Sequence, residues 1–143
     1  MIVQELQFGS EQYRSARQLR ESVLRRPLGL PLSEDDLRGE AGQLHFAMLA
    51  DQELVACVTA LPLSVTEARI RQTAVAPAYQ RQGVASHMMR KVEAILAARG
   101  YTSLSLHARI SAIGFYRKLG YAAVGKQFIE VTVPHQKMVK QLT

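Results

Sequence analysis

A strand-like segment and an amphipathic helix meet at a glycine turn in the middle of the chain, and this junction most constrains the fold. Residues 74–76 are apolar, and the sequence QRQGVA follows at residues 80–85. Gly83 has no side chain, so another group can lie close to the backbone where the helix begins. A helix N-terminus carries unpaired N–H groups and about half a positive charge. The junction therefore predicts a site for an anion such as a pyrophosphate.

Other glycine-rich phosphate loops do not fit this sequence. It contains no G-x-G-x-x-G motif followed by a suitably spaced acidic residue, which argues against a dinucleotide-binding fold. It also lacks the Gly-Lys pair followed by Ser or Thr that a nucleotide P-loop requires. An ordinary strand–helix turn without a ligand is the alternative interpretation of residues 80–85.

The size and composition of the chain predict one cytoplasmic domain over residues 1–143. A chain of 143 residues with 48% hydrophobic content can bury a substantial core. No apolar stretch is long enough to cross a membrane, and Glu5 interrupts any N-terminal signal-like run. The lone cysteine, Cys57, excludes an internal disulfide and is typical of a reducing compartment. The net charge of +6 is spread along the chain, which favours an anionic small molecule over nucleic acid.

The first two thirds of the chain predict three helices and several strands. Ser10 is expected to cap a helix over residues 11–24, and Ser33 a short second helix. The clearest helix covers residues 83–99, with an apolar stripe at helical spacing. The whole chain gives the order β-α-α-β-β-β-α-β-α-β-β, which indicates a mainly antiparallel sheet with one crossover at that helix.

The last third of the chain predicts a short helix and a long strand. Ser111 is expected to cap the helix, which runs to Lys118. Residues 121–133 are predicted to form one long strand that Pro134 ends, and residues 137–142 to return antiparallel.

A second motif accompanies the glycine turn, at residues 112–121 with the sequence AIGFYRKLGY. Together the two motifs resemble the GNAT superfamily of acetyl-CoA-dependent N-acyltransferases. The first is similar to its Q/R-x-x-G-x-G/A pyrophosphate loop, and the second to the F-Y-x-K-x-G-F/Y segment around its usual catalytic tyrosine. The resemblance covers nearly the whole chain. It implies the GNAT acyl-CoA N-acyltransferase fold, an α/β fold whose mixed, mainly antiparallel sheet has about six or seven strands and about four flanking helices.

The resemblance also implies acetyl-CoA as the cosubstrate. Backbone N–H groups at residues 81–86 would bind the pyrophosphate, and the strand at residues 74–76 would meet the pantetheine arm. Many relatives carry an asparagine near Arg109, so this arginine departs from the family. Arg109, Arg117 or Lys118 would instead meet the 3′-phosphate, or lie in solvent. The predicted cofactor-binding residues are Ala74, Val75, Ala76, Arg81, Gln82, Gly83, Val84, Ala85, Ser86, Arg109, Phe115 and Lys118.

Tyr116 is the predicted general acid. Acyl transfer from a thioester expels a thiolate, and a free thiol has a pKa of about 8.5. A tyrosine, with a pKa of about 10, is protonated at neutral pH and can donate a proton as the C–S bond breaks. The alternative is an aromatic side chain that only packs against the core beside Phe115.

The acceptor amine needs to lose a proton. An alkyl amine has a pKa of about 10.4, so only about a thousandth of it is neutral at neutral pH. Glu130 and His135 on the closing strands are the predicted catalytic bases, and His107 and Glu67 are further candidates. His45 is interpreted as structural, and Cys57 as a small buried hydrophobe rather than a nucleophile. No His, Cys, Asp or Glu spacing indicates a metal site.

The sequence therefore predicts an N-acetyltransferase that transfers acetyl directly to a primary amine in a ternary complex. A non-catalytic acyl-CoA-binding or regulatory module on the same fold is the alternative. Nucleic acid and membranes are not expected partners, and the acceptor is a small molecule or a protein amine. The arginines at residues 14–26 are either a solvated face or, through Arg25 or Arg26, a preference for an acidic acceptor. A homodimer, common in the family, is left open.

Overall fold

Seven strands form one mixed sheet in the computed structural model, which describes residues 1–142. The strand order is β1-β2-β3-β4-β5-β7-β6, and every neighbouring pair is antiparallel except β4 and β5. This sheet confirms the predicted fold class. The strands are β1 Ile2–Leu6, β2 Leu44–Ala50, β3 Glu53–Pro62, β4 Glu67–Val75, β5 Ser103–Arg109, β6 Ala122–Glu130 and β7 Val133–Gln141.

Four α-helices connect and cover the strands in the described part of the chain. They are α1 Glu11–Arg20, α2 Glu34–Leu37, α3 Val84–Ala98 and α4 Ile113–Lys118. Ser10 caps α1 and Ser33 caps α2, as the sequence predicted. Ser33 and Asp36 also form a reciprocal capping pair. The crossover that joins the parallel strands β4 and β5 is α3.

The two faces of the sheet bury different helices. The apolar stripe of α3 packs against strand residues such as Phe46 and Leu106 in the larger core cluster. Ala16 of α1 packs on the opposite face with Cys57 and Ala74. Both faces of β2 and β3 are thereby covered, which explains their almost continuous apolar sequences.

The first helix is shorter than the sequence predicted. The α-helix ends at Arg20, and the chain continues as a π-turn over Glu21–Arg25. In this wider turn Arg25 is buried and pairs with Asp36 at 2.8 Å. The Glu21 carboxylate also accepts a hydrogen bond from the Leu32 backbone at 3.1 Å, which fixes the loop that follows.

Two predictions for the last third of the chain were wrong. Ser111 lies within a 3₁₀ turn, and α4 begins after Ala112 without a side-chain cap. The long strand ends at Glu130, because Val131 and Thr132 have φ of 48° and 65° and form a tight hairpin turn. Pro134 lies inside β7. Glu130 and Val133 close the two-residue turn to β6, so the position of the missing Pro134 N–H faces the other neighbour, β5. The pairing of β5 with β7 begins only at His135, so no hydrogen bond between strands is lost at Pro134.

Candidate active site

A cleft opens where β4 and β5 separate. The two strands pair only over Glu67–Ile70 and Ser103–Leu106, and they diverge beyond that point. Gln72 has φ of 53°, and the β3–β4 register shifts beside it, so β4 bends at a bulge. The cleft has a volume of about 510 Å³ and is lined by both strands, the π-turn, α4 and the β6–β7 turn.

A buried ion pair fixes the bulge in β4. Arg20 donates to the Gln72 side chain at 2.5 Å and forms two hydrogen bonds with the Glu40 carboxylate. Arg20 and Glu40 are each only 1% exposed. Tyr13 donates to the same carboxylate at 2.5 Å. Sequence reasoning missed this network, because residues so far apart in the chain gave no local pattern.

The charges in this network settle the protonation of its members. Burial alone would raise the pKa of Glu40, but hydrogen bonds from Arg20 and Tyr13 outweigh burial and hold it below its usual value. Burial and the Glu40 carboxylate raise the pKa of Tyr13 to about 12. Glu40 is therefore ionised and Tyr13 protonated at neutral pH, as the hydrogen bonds between them require.

Tyr116 lies at the wall of the cleft on α4. Its ring is 8% exposed and packs edge-on against Phe115 and Tyr121, while its hydroxyl donates to Thr73 of β4 at 3.3 Å. Burial raises the pKa of Tyr116, and the hydrogen bond to Thr73 opposes this only in part. The phenol is therefore protonated at neutral pH.

Glu130 lies between two histidines that also line the cleft. Its carboxylate accepts a hydrogen bond from His107 Nδ1 at 2.9 Å and lies 3.8 Å from His135 Nε2. His135 Nδ1 is 2.9 Å from the Val133 carbonyl oxygen, which can only accept. The Nδ1 atom of His135 therefore carries the proton, and its Nε2 atom keeps a lone pair in the neutral ring. Phe128 packs against both imidazole rings.

The glycine turn forms the N-terminus of α3, directly after β4. Gly83 has φ of 79°, and a Cβ built on it would meet no atom within 4 Å. No side chain caps this helix, so the first N–H groups of α3 keep no partner within the helix. The Gln80 side chain donates to the Val75 carbonyl at 2.9 Å and ties the turn to the end of β4.

The predicted cofactor-binding residues occupy two regions. One region is the end of β4 with the turn and start of α3, where Ala74 is buried and Arg81 and Gln82 are exposed. The other is α4 and the end of β5, where Phe115 packs on the core and Lys118 is exposed. Arg109 lines the cleft and donates to the Leu24 carbonyl at 2.6 Å.

The arginines at residues 14–26 differ in exposure, since Arg25 is buried whereas Arg14 and Arg26 are exposed. Two of the arginines that line the cleft are held by other residues. Arg25 is paired with Asp36, and Arg71 donates to the Gln43 side chain at 2.6 Å and to the Asp36 carbonyl at 3.0 Å. Arg69 also lines the cleft.

Two other predicted residues are structural. His45 is buried between Thr59 and the Glu40 carbonyl oxygen, at 3.1 and 2.8 Å. Cys57 is buried with its thiol directed at the Ala16 carbonyl, and burial raises its pKa to about 12, which excludes a reactive thiolate at neutral pH.

No group of three or more His, Cys, Asp or Glu side chains in residues 1–142 is placed to hold a metal ion. None of the helices described above has the length and apolar character needed to cross a bilayer.

The chain belongs to the GNAT acetyltransferase family, whose sequence model matches residues 10–121. It is therefore an acyl-CoA-dependent N-acyltransferase. Two proteins of Bacillus subtilis strain 168 are similar in sequence. The uncharacterized protein YyaT is 32% identical over 76 residues, which are 53% of this chain and 51% of YyaT. The uncharacterized N-acetyltransferase YjcF is 26% identical over 133 residues, which are 91% of this chain and 93% of YjcF.

The fold is also similar to that of a solved acetyltransferase. An aminoglycoside 6′-N-acetyltransferase complexed with coenzyme A superimposes with a TM-score of 0.78. The match covers 100% of this chain and 98% of that one, at 19% sequence identity. At this identity the similarity concerns the fold alone.

Proposed function

We propose that this protein transfers an acetyl group from acetyl-CoA directly to a primary amine in a ternary complex. The observation that carries the proposal is the position of Tyr116 and of the cluster formed by Glu130, His107 and His135. Both line the cleft that opens between β4 and β5, and the glycine turn follows at the end of β4. A phenol that can give a proton and a histidine that can take one thus lie in the same cleft.

The end of β4 and the start of α3 fit the acetyl-CoA molecule. Gly83 leaves open space in front of the α3 N–H groups, where a pyrophosphate would be held by the helix N-terminus. Ala76 donates its N–H to Val55 of β3, so Val75 directs its own N–H to the side that β5 has left. That N–H is available to the pantetheine amide.

Tyr116 acts as the general acid. Bound acetyl-CoA supplies the acetyl group as a thioester whose sulfur needs a proton when it departs. Tyr116 holds this proton because burial keeps its phenol protonated, and Thr73 orients the hydroxyl at the cleft wall.

His135 acts as the base, and Glu130 supports it. The Val133 carbonyl holds His135 in the tautomer whose Nε2 lone pair can accept a proton from the amine. Protonation at Nε2 creates a cation 3.8 Å from the Glu130 carboxylate, which stabilises it. His107 holds that carboxylate in place through its own hydrogen bond.

Calorimetric titration with acetyl-CoA tests the cofactor part of the proposal. We expect the wild-type protein to bind acetyl-CoA and Gly83→Val to weaken binding strongly, because the new side chain would enter the space in front of the helix N-terminus. Gly9→Val is the matched control, since Gly9 has φ of 81° and equally open space. Equal binding by the two variants, or no binding by the wild type, would contradict the proposal. Binding without transfer to any amine would favour a binding module.

A further inference from the structure

The basic groups of the cleft outnumber the acids available to them. Four arginines line it, at positions 25, 69, 71 and 109, together with the carboxylates of Asp35, Asp36 and Glu130. Each carboxylate already has a partner. Asp36 pairs with Arg25, Asp35 with Arg38 at 2.8 Å, and Glu130 with the two histidines.

Arg69 and Arg109 are the two cleft arginines that no described carboxylate approaches within 4.0 Å. Arg71 differs, because it lies 3.7 Å from Glu40. The buried Nε of Arg69 makes no hydrogen bond with any residue from 1 to 142. Arg109 is half-buried, and it donates to the neutral carbonyl of Leu24.

The strand registers place both arginines on the face of the sheet that carries the proposed base. Arg69 is opposite Ser105 of β5, and His107 and Arg109 follow Ser105 at alternate positions. Arg109 is in turn opposite His135 of β7. An amine presented to His135 therefore lies beside a guanidinium group.

The absence of a counterion has an electrostatic cost. Burial and the neighbouring Arg25 charge both hold the pKa of Arg109 below its usual value. Arg109 stays charged at neutral pH because an arginine pKa is far above it. An anion that entered the cleft would offset both effects and would fill the planar donor groups of the guanidinium.

We propose that the acceptor is a small amine that also carries a carboxylate or phosphate group, and that Arg109 and Arg69 bind this anion while His135 receives the amine. This inference rests on the proposed function. A cleft of about 510 Å³ is the size of a small-molecule site. Under this proposal Arg109 binds the acceptor and not the cofactor.

Matched acceptor pairs test the inference. With acetyl-CoA present, L-amino acids are compared with their amides, and O-phosphoethanolamine with ethanolamine. We expect a higher kcat/KM for the anionic member of at least one pair. The amide series is a stringent comparison, because removing the carboxylate charge lowers the amine pKa and leaves more of the amine neutral at neutral pH, which favours the amide.

Arg109→Gln should reduce the preference for the anionic acceptor roughly 10- to 100-fold, mainly through KM, because a hydrogen bond between charged groups is lost. Arg90→Gln is the matched control. Arg90 is exposed on α3 and does not line the cleft, so its substitution removes the same charge elsewhere on the protein. If Arg109→Gln does not fold, the acceptor preference of Arg69→Gln tests the same inference.

Three results would overturn the inference. The first is a wild-type kcat/KM that is higher for the neutral member of every pair. An Arg109→Gln variant that binds acetyl-CoA more weakly but keeps its acceptor preference is another, because it would place Arg109 on the cofactor. The third is no transfer to either member of any pair, which would overturn the proposed function as well. Transfer to neutral amines alone leaves the proposed function standing.

Discussion

At the residue scale, chemistry at the site depends on how each side chain is held. The tyrosine motif identified Tyr116, but its burial and its bond to Thr73 came only from the fold. The sequence also singled out Glu130, His135 and His107 as separate candidates. Their contact could not be predicted, because it depends on the β6–β7 turn and on the β5–β7 register.

Replacing His135 gives a prediction about pH. His135→Gln should lower kcat/KM by about 10²- to 10⁴-fold at neutral pH, because the base is lost. The loss should shrink toward alkaline pH, because an amine with a pKa of about 10.4 increasingly loses its proton without help. The pH profile of acetyl transfer measures this.

His87→Gln is the matched control for His135→Gln. His87 is exposed on α3, so its replacement should leave the profile unchanged. A loss in His135→Gln that stays constant across the pH range would show that His135 does not take the amine proton.

At the element scale, the buried ion pair determines the shape of β4. The order of strands and helices, the α3 helix and the N-caps of the first two helices were predictable, because periodicity and capping residues are local signals. The π-turn and the bulge at Gln72 were not, because the contacts at each join residues far apart in the chain. Arg25 of the π-turn pairs with Asp36, and Gln72 is held by Arg20.

Breaking this pair should destabilise the whole protein. Glu40→Gln leaves Arg20 buried without its carboxylate, and we expect a loss of about 3–5 kcal/mol in the free energy of unfolding. Asp35→Asn removes an exposed pair with Arg38 and should cost less than about 1 kcal/mol. Urea denaturation compares the two variants, and equal losses would contradict the role given to Glu40.

At the scale of the whole molecule, the fold holds His45 in its neutral form. Burial lowers the pKa of His45 below the value of the unfolded chain, which is about 6.5. The unfolded state therefore binds this proton first as the pH falls. Stability is complete above about pH 6.5 and decreases as the pH falls from there through the folded-state pKa.

The ionised Glu40 carboxylate adds a second loss at lower pH. Its pKa is held below normal, so the stability it contributes is present above about pH 4.5 and is lost as the pH falls further. Denaturation midpoints measured from neutral to acid pH should show the His45 decline first. His45→Gln should remove the early decline, whereas His87→Gln should retain it. A wild-type midpoint that stays constant down to about pH 5 would contradict this account.

The most direct test of the central claim is acetyl transfer by Tyr116→Phe. Release of free coenzyme A thiol is followed with the wild type and the variant, at saturating acetyl-CoA and the best amine found. The buried Cys57 thiol contributes little background to this assay. We expect kcat to fall about 10²- to 10⁴-fold while acetyl-CoA binding is unchanged, because only the proton donor is removed. Equal kcat in the two proteins would show that Tyr116 is a packing residue and not the acid.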